Sequence, residues 1–194
     1  MLVPEQESLR ERSKRRRVVR ILDAVLMLIR EAPDQVPTVD QVATRAEVSP
    51  MTVFNLVGNR EELWSAAVGH ALRDLDYGRS SRKQPQERAQ AIVGETVRVL
   101  CADAAVFRGL LSTWRGDALR AHDPTPLLID CFAEARAAGT VGAIDARTYG
   151  EVVATGLLGA ISQWTAGLLS NRGLRTRTKA IVDVAFAAAT AEGA

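Results

Sequence analysis

Apolar residues recur at three- and four-residue steps along most of the chain, and no run alternates strictly between turn signals, so the pattern predicts helices and no sheet. Val18, Ile21, Leu22, Val25, Leu28 and Ile29 make the apolar face of a first amphipathic helix, which ends near Ala32 and Pro33. After a turn over residues 33–37, Thr38 starts a short helix. Thr38 and Gln41 have the spacing of a capping box, in which each side chain satisfies a backbone donor at the helix start, and Val39, Val42, Ala43 and Ala46 form the inner face. Residues 47–50 read as a tight turn, with Ser49 as N-cap and Pro50 at the first position of a second short helix reaching about Val57. Gly58 closes that unit, and Asn59 with Glu62 caps a helix running through Leu63, Trp64, Ala67, Val68 and Leu72 toward Tyr77.

Residues 80–86 are polar and read as a short connector. Beyond them, helices are predicted over 87–102, 104–115 and 126–138. Residues 116–125, with His122 and Pro124, read as irregular. Asp145 caps a long apolar helix through residue 170, and a last helix covers about 174–191 after the turn Asn171-Arg172-Gly173. The expected fold is all-α, with about nine helices. Its expected parts are a basic N-terminal arm (1–20) leading into helix 1, a helix-turn-helix domain (10–64) and a larger helical domain (65–194).

Composition narrows the class. Of 194 residues 47% are hydrophobic and 25% charged, enough apolar surface to offset the entropy of ordering, so disorder is excluded. There is no long uninterrupted apolar run and no apolar stretch behind the Arg-rich start, so neither a membrane span nor a signal peptide is expected. Two cysteines and two histidines suffice for neither a disulfide framework nor a tetrahedral metal cage. A cytoplasmic setting without metal or cofactor is therefore expected.

The formal charge of +2 is unevenly spread. Arg10, Arg12, Lys14, Arg15, Arg16, Arg17 and Arg20 face one acid, Glu11, giving +6 over residues 10–20 and leaving 18 bases and 22 acids, or −4, for the rest. A basic segment at one end of a mildly acidic body suits a polyanion; taken alone, such a run is more often a solvated helix start or a disordered tail.

The residues that follow decide between these. ILDAVLMLI, then TVDQVATRAEVS, then MTVFNLVGNREEL resemble the DNA-binding domain of the TetR family of transcriptional regulators. Thr38, Ala43, Ala46, Val48, Ser49, Thr52, Phe54 at an aromatic position, and Arg60-Glu61 ahead of Leu63 carry the match, over about a quarter of the chain. The resemblance implies duplex DNA as partner, a homodimer, and a helical body that binds a small effector. In a helix-turn-helix the N-terminal residues of the second helix meet base edges. Here those are Pro50, Met51, Thr52 and Asn55: Asn55 can pair with adenine or a phosphate, Thr52 offers a hydroxyl and a methyl, and Pro50 and Met51 can touch a thymine methyl. Val53 and Phe54 are expected to pack inward. Thr38, Ser49 and Arg60 are expected on the DNA side, with Arg60 at a backbone phosphate.

Three positions depart from the family. Phe54 stands where a Tyr hydroxyl is common and Leu56 where His or Tyr is common, and neither can donate a hydrogen bond. Glu47 replaces the common turn glycine and must adopt a positive φ, at about 1 kcal/mol, or a different turn. Arg15, Arg16 and Arg17 are expected to compensate with phosphate or minor-groove contacts.

In the body, Cys101, Phe107, Leu111, Trp114, Cys131, Thr155, Gln163 and Trp164 are pocket candidates, each also explicable as plain core. Few ionisable residues accompany them, so the expected effector is largely apolar. Gly156, Gly159 and Ala160, with Ala180, Val184 and Ala188, are small or slender residues at helical steps, suited to a four-helix dimer interface; alanine is also simply a good helix former. A dimer sets two recognition helices about one DNA turn apart on a palindromic operator. Catalysis is not expected, because Cys101, Cys131, His70 and His122 lack any nucleophile motif, phosphate loop or metal spacing, and His70 reads as a surface or interface residue. The expected function is an effector-released repressor, with coupling through a helix spanning 59–77. The alternative is a helical interaction module using its basic segment on RNA, a membrane or an acidic protein.

Overall fold

The computed structural model describes residues 8–80, 84–113 and 122–192. Every regular element among them is helical: α1 (Leu9–Glu31), α2 (Val39–Arg45), α3 (Pro50–Leu56), α4 (Arg60–Ala71), a 3-10 turn (Tyr77–Ser80), α5 (Pro85–Ala102), α6 (Ala104–Thr113), α7 (Thr125–Ala137), α8 (Ala146–Thr165) and α9 (Asn171–Ala191). The all-α expectation holds, with nine α-helices among the described residues.

Contacts divide the chain into two units, Met1–Arg73 with Gly109–Leu119, and Asp74–Arg108 with Arg120–Ala194. In the first, α1 packs against α2, α3 and α4. Its C-terminal half buries Ile21, Leu22, Ala24, Val25, Leu26 and Ile29, and it stops at Ala32 because Pro33 disfavours helical geometry in the residue before it. At its other end α1 begins far earlier than the apolar pattern implies. Ser8 caps it by accepting the Glu11 amide hydrogen at 3.2 Å, and arginine and lysine are good helix formers that need no core contact to continue it. The basic segment is thus two to three turns of exposed helix and not an arm leading up to one.

In the second unit, α5, α7, α8 and α9 pack in a ring, each against two others. Phe132 at its centre stacks on Phe186 with ring centroids 4.2 Å apart and tilts against Tyr149. Two glycines let helices approach closely: a Cβ on Gly150 would lie 2.7 Å from the Ile129 backbone nitrogen, and one on Gly156 would lie 2.9 Å from Ile181 Cγ2.

Two further helix ends differ from expectation. α4 stops at Ala71, so no single helix spans 59–77; the 3-10 turn is instead held by the Tyr77 hydroxyl, which donates to the His122 carbonyl at 3.2 Å and bonds the Thr96 hydroxyl at 2.9 Å. α8 stops at Thr165, where Gly167 at φ +77° reverses the chain, and Ser170 caps α9, so that Asn171, Arg172 and Gly173 form its first turn and no loop.

Candidate nucleic-acid interface

Local side-chain chemistry sets each boundary of the α2–turn–α3 segment. At the start of α2 the Thr38 amide donates to Gln41 Oε1 at 2.8 Å and the Gln41 amide to Thr38 Oγ1 at 3.2 Å, the reciprocal capping box. Arg45 clamps the end of α2 to α1 with two bonds to the Glu31 carboxylate, 2.8 and 2.7 Å, and these hold the Glu31 carboxyl below the usual carboxylate range. The chain then turns at Glu47, which takes φ +53°, and the Val48 amide reaches back to the Ala43 carbonyl at 3.0 Å. A non-glycine residue thus takes a left-handed conformation here, so the turn carries strain.

Ser49 caps α3, accepting the Thr52 amide hydrogen at 3.1 Å, and its hydroxyl bonds that of Thr52 at 2.8 Å. After α3, Gly58 at φ +116° permits what no other residue would, since a Cβ there would fall 2.1 Å from Glu62 Oε2. That oxygen accepts the Asn59 amide hydrogen at 2.7 Å, and Asn59 caps α4 in return. α4 is also tied to α1, with His70 Nε2 2.7 Å from Asp23 Oδ1. His70 is accordingly a half-buried structural contact within this unit.

These constraints present one side of α3 outward. Val53 is fully buried, whereas Met51 is 66% and Phe54 58% exposed, with Pro50 and Asn55 exposed beside them. The expectation that Phe54 packs inward is therefore corrected. It lies three positions from Met51 and four from Pro50, the helical spacing of one face, and about 100° from Val53. Its aromatic character suggested core; its position in the helix decides otherwise. Thr52 is half-buried, and Thr38 and Arg60 are exposed. Arg15, Arg16 and Arg17 are exposed on α1, where Ser13, Arg16, Arg17 and Arg20 line a shallow surface recess at helical spacing.

The body candidates scatter. Phe107, Cys131 and Trp164 are buried, Cys101 and Leu111 half-buried, and Thr155 and Gln163 exposed; Trp114 lies outside the described residues. Burial pushes the Cys131 thiol up, against a hydrogen bond from Arg88 Nε at 3.2 Å. Of the interface candidates, Gly156 serves α8–α9 packing and Ala160 is buried, while Gly159, Ala180, Val184 and Ala188 are exposed, as are Val152 and Leu158. No group of acids, cysteines or histidines among the described residues could hold a metal, and no helix there is long and apolar enough to cross a membrane.

No protein-family model matches the chain. Over 113 residues it is 32% identical to the HTH-type transcriptional regulator BetI of Burkholderia lata, covering 56% of this chain and 57% of that protein. The chain thus spans little more than half the length of the curated relatives it matches. Among solved structures, a TetR-family transcriptional regulator from Mesorhizobium loti superposes with a TM-score of 0.61 at 16% identity, over 94% of this chain and 98% of that one. A member of the TetR transcriptional regulator family from Streptomyces coelicolor does so with 0.52 at 23% identity, over 86% and 89%. The chain has the TetR-family fold. The matched proteins are transcriptional regulators. Within this fold α2, the turn and α3 form a helix-turn-helix.

Proposed function

We propose that the protein is a ligand-responsive transcriptional regulator, acting in the cytoplasm as a homodimeric repressor on a palindromic operator and released by a small, largely apolar effector. The observation that carries the reading is the outward face of α3, where Pro50, Met51, Phe54 and Asn55 stand exposed beside a buried Val53. Exposed large apolar side chains cost solubility unless they meet a partner. A thymine methyl suits Met51 and Phe54, and the Asn55 amide suits the adenine edge. The arginines of α1 supply the sequence-independent attraction to phosphate. As they sit on a helix, they act as a rigid ridge along the backbone. For dimerisation, Val152 and Leu158 on α8 and Val184 on α9 are exposed, and burying such residues against a second copy is favourable at about 25 cal/mol per Å².

Footprinting of the duplex upstream of the encoding gene tests this. The expected result is two protected half-sites about one helical turn apart, bound by one dimer. Equal binding to any duplex, or a preference for RNA, anionic vesicles or an acidic protein, would replace the regulator with an interaction module, and a monomer in sedimentation would remove the paired half-sites.

A further inference from the structure

α3 carries no charged residue along its sequence PMTVFNL. The nearest cations in the chain are Arg45, whose guanidinium is already held by the Glu31 carboxylate, and Arg60, which begins α4. Thr52 on α3 is half-buried, and its hydroxyl is bonded to that of Ser49 at 2.8 Å. Asn55 is therefore the one exposed hydrogen-bonding side chain on the helix. It stands beside two large exposed apolar ones, Met51 and Phe54. At about 100° per residue these three fall within an arc of about 100°, and the buried Val53 lies outside it.

Such a face cannot read a base pair in the commonest way, by an arginine or lysine on the guanine edge. Phe54 has no hydrogen-bonding group, and the Met51 sulfur is a weak acceptor. Set against a guanine or cytosine edge, the two would strip water from strong donors and acceptors and replace none of those bonds, which is costly. The C5-methyl of thymine is the apolar group that the major groove offers them. The spacing fits as well. Side chains three or four positions apart on a helix have Cβ atoms about 5–6 Å apart, within reach of neighbouring base pairs stacked at about 3.4 Å along the duplex. We propose that each half-site is centred on successive thymines, read through their C5-methyl groups by Met51 and Phe54, with an adjoining adenine held by Asn55, and that α3 reads no guanine. This rests on the reading of α3 as the recognition helix and goes beyond it. Sequence is distinguished chiefly by the presence of a methyl group, so the protein responds to that methyl on any pyrimidine at these positions, 5-methylcytosine included.

The test uses the full chain and a duplex enriched from a random pool, in which each thymine in turn is replaced by deoxyuridine. That change removes the methyl group and leaves every hydrogen-bonding group in place. At two neighbouring positions of a half-site, affinity should fall about fourfold per methyl, the equivalent of one buried methylene. Met51→Ala should erase the response at one of these positions and Phe54→Ala at the other; both side chains are exposed, so either variant keeps the fold. Cytosine at either position should bind about fourfold more weakly than 5-methylcytosine. Replacing the adjoining adenine by 7-deazaadenine should weaken wild type about fivefold or more and leave Asn55→Ala unaffected. Deoxyuridine tolerated at every position, 5-methylcytosine no better than cytosine, or a response that survives in both alanine variants would overturn the inference while leaving a sequence-selective regulator. A pool that yields no enriched duplex would remove the recognition helix itself, and the inference with it.

Discussion

Within residues 38–62, the side chains that start each helix act over three positions: Thr38 with Gln41, Ser49 with Thr52, Asn59 with Glu62. In the body, side-chain bonds that join helices reach across 43 to 97 positions, as with Tyr149 and Glu192, Arg88 and Glu134, or Gln86 and Asp183, although Trp164 and Asn171 join α8 to α9 over seven, and a stacked aromatic cluster sits among them. The first region is assembled from small independent parts, and its outward face follows once the caps are set. The second exists only when four helices meet, so a single deletion there is felt by all of them.

That contrast is sharpest in denaturant. Phe132→Ala removes the centre of the stack and should cost about 3–5 kcal/mol. In the first region, Val53→Ala should cost about 2 kcal/mol, whereas Phe54→Ala, next to it in sequence, should change stability by less than about 0.5 kcal/mol. If Phe54→Ala proved the more destabilising of the two, the assignment of the outward face would be wrong. Removing a cap, in Thr38→Ala or Asn59→Ala, should cost about 1 kcal/mol each and nearly additively, since the two boxes share no partner. Glu47→Gly should move the other way, raising stability by up to about 1 kcal/mol by removing the strain of φ +53°. The smallest effect belongs to pH. Asp145 caps α8, and its carboxyl is held below the usual range, chiefly by a hydrogen bond from the Thr148 hydroxyl. A depressed carboxyl contributes stability above its unfolded-state pKa and loses it as pH falls through the folded one. The melting-point difference between wild type and Asp145→Asn should therefore be present at pH 7 and fade through the acid side of the ordinary carboxylate range.

The same contrast explains what the sequence makes legible. Thr38, Ser49, Pro50, Asn59 and Gly58 announce their roles because capping and turn chemistry depend on neighbours a few positions away, and those boundaries fall where the pattern places them. The start of α1 did not announce itself, because exposed helix made of arginine and lysine has no apolar period to read. At Phe54 the aromatic residue type points to the core while the helical phase points outward, and the phase decides. In the body, Gly156 and Ala160 look alike in sequence to Gly159 and Ala180, yet the first pair is spent on packing α8 and the second is exposed. Only the positions of α7 and α9 separate them, and those depend on contacts across the whole second unit.

On the proposed function, the outward face of α3 reads sequence while the arginines of α1 hold phosphate. This division is tested most directly by titrating a duplex selected from a random pool, and a scrambled duplex of equal length, across 50–200 mM salt. Wild type, Asn55→Ala and the triple variant Arg15→Gln, Arg16→Gln, Arg17→Gln would be compared. The account predicts that Asn55→Ala lowers affinity for the selected duplex by about 1–3 kcal/mol, leaving the scrambled duplex and the salt slope unchanged. The triple variant should weaken both duplexes alike and, since the dimer loses six charges, flatten the salt slope by about 5. An Asn55→Ala protein that discriminates as well as wild type, or a triple variant with an unchanged slope, would contradict it.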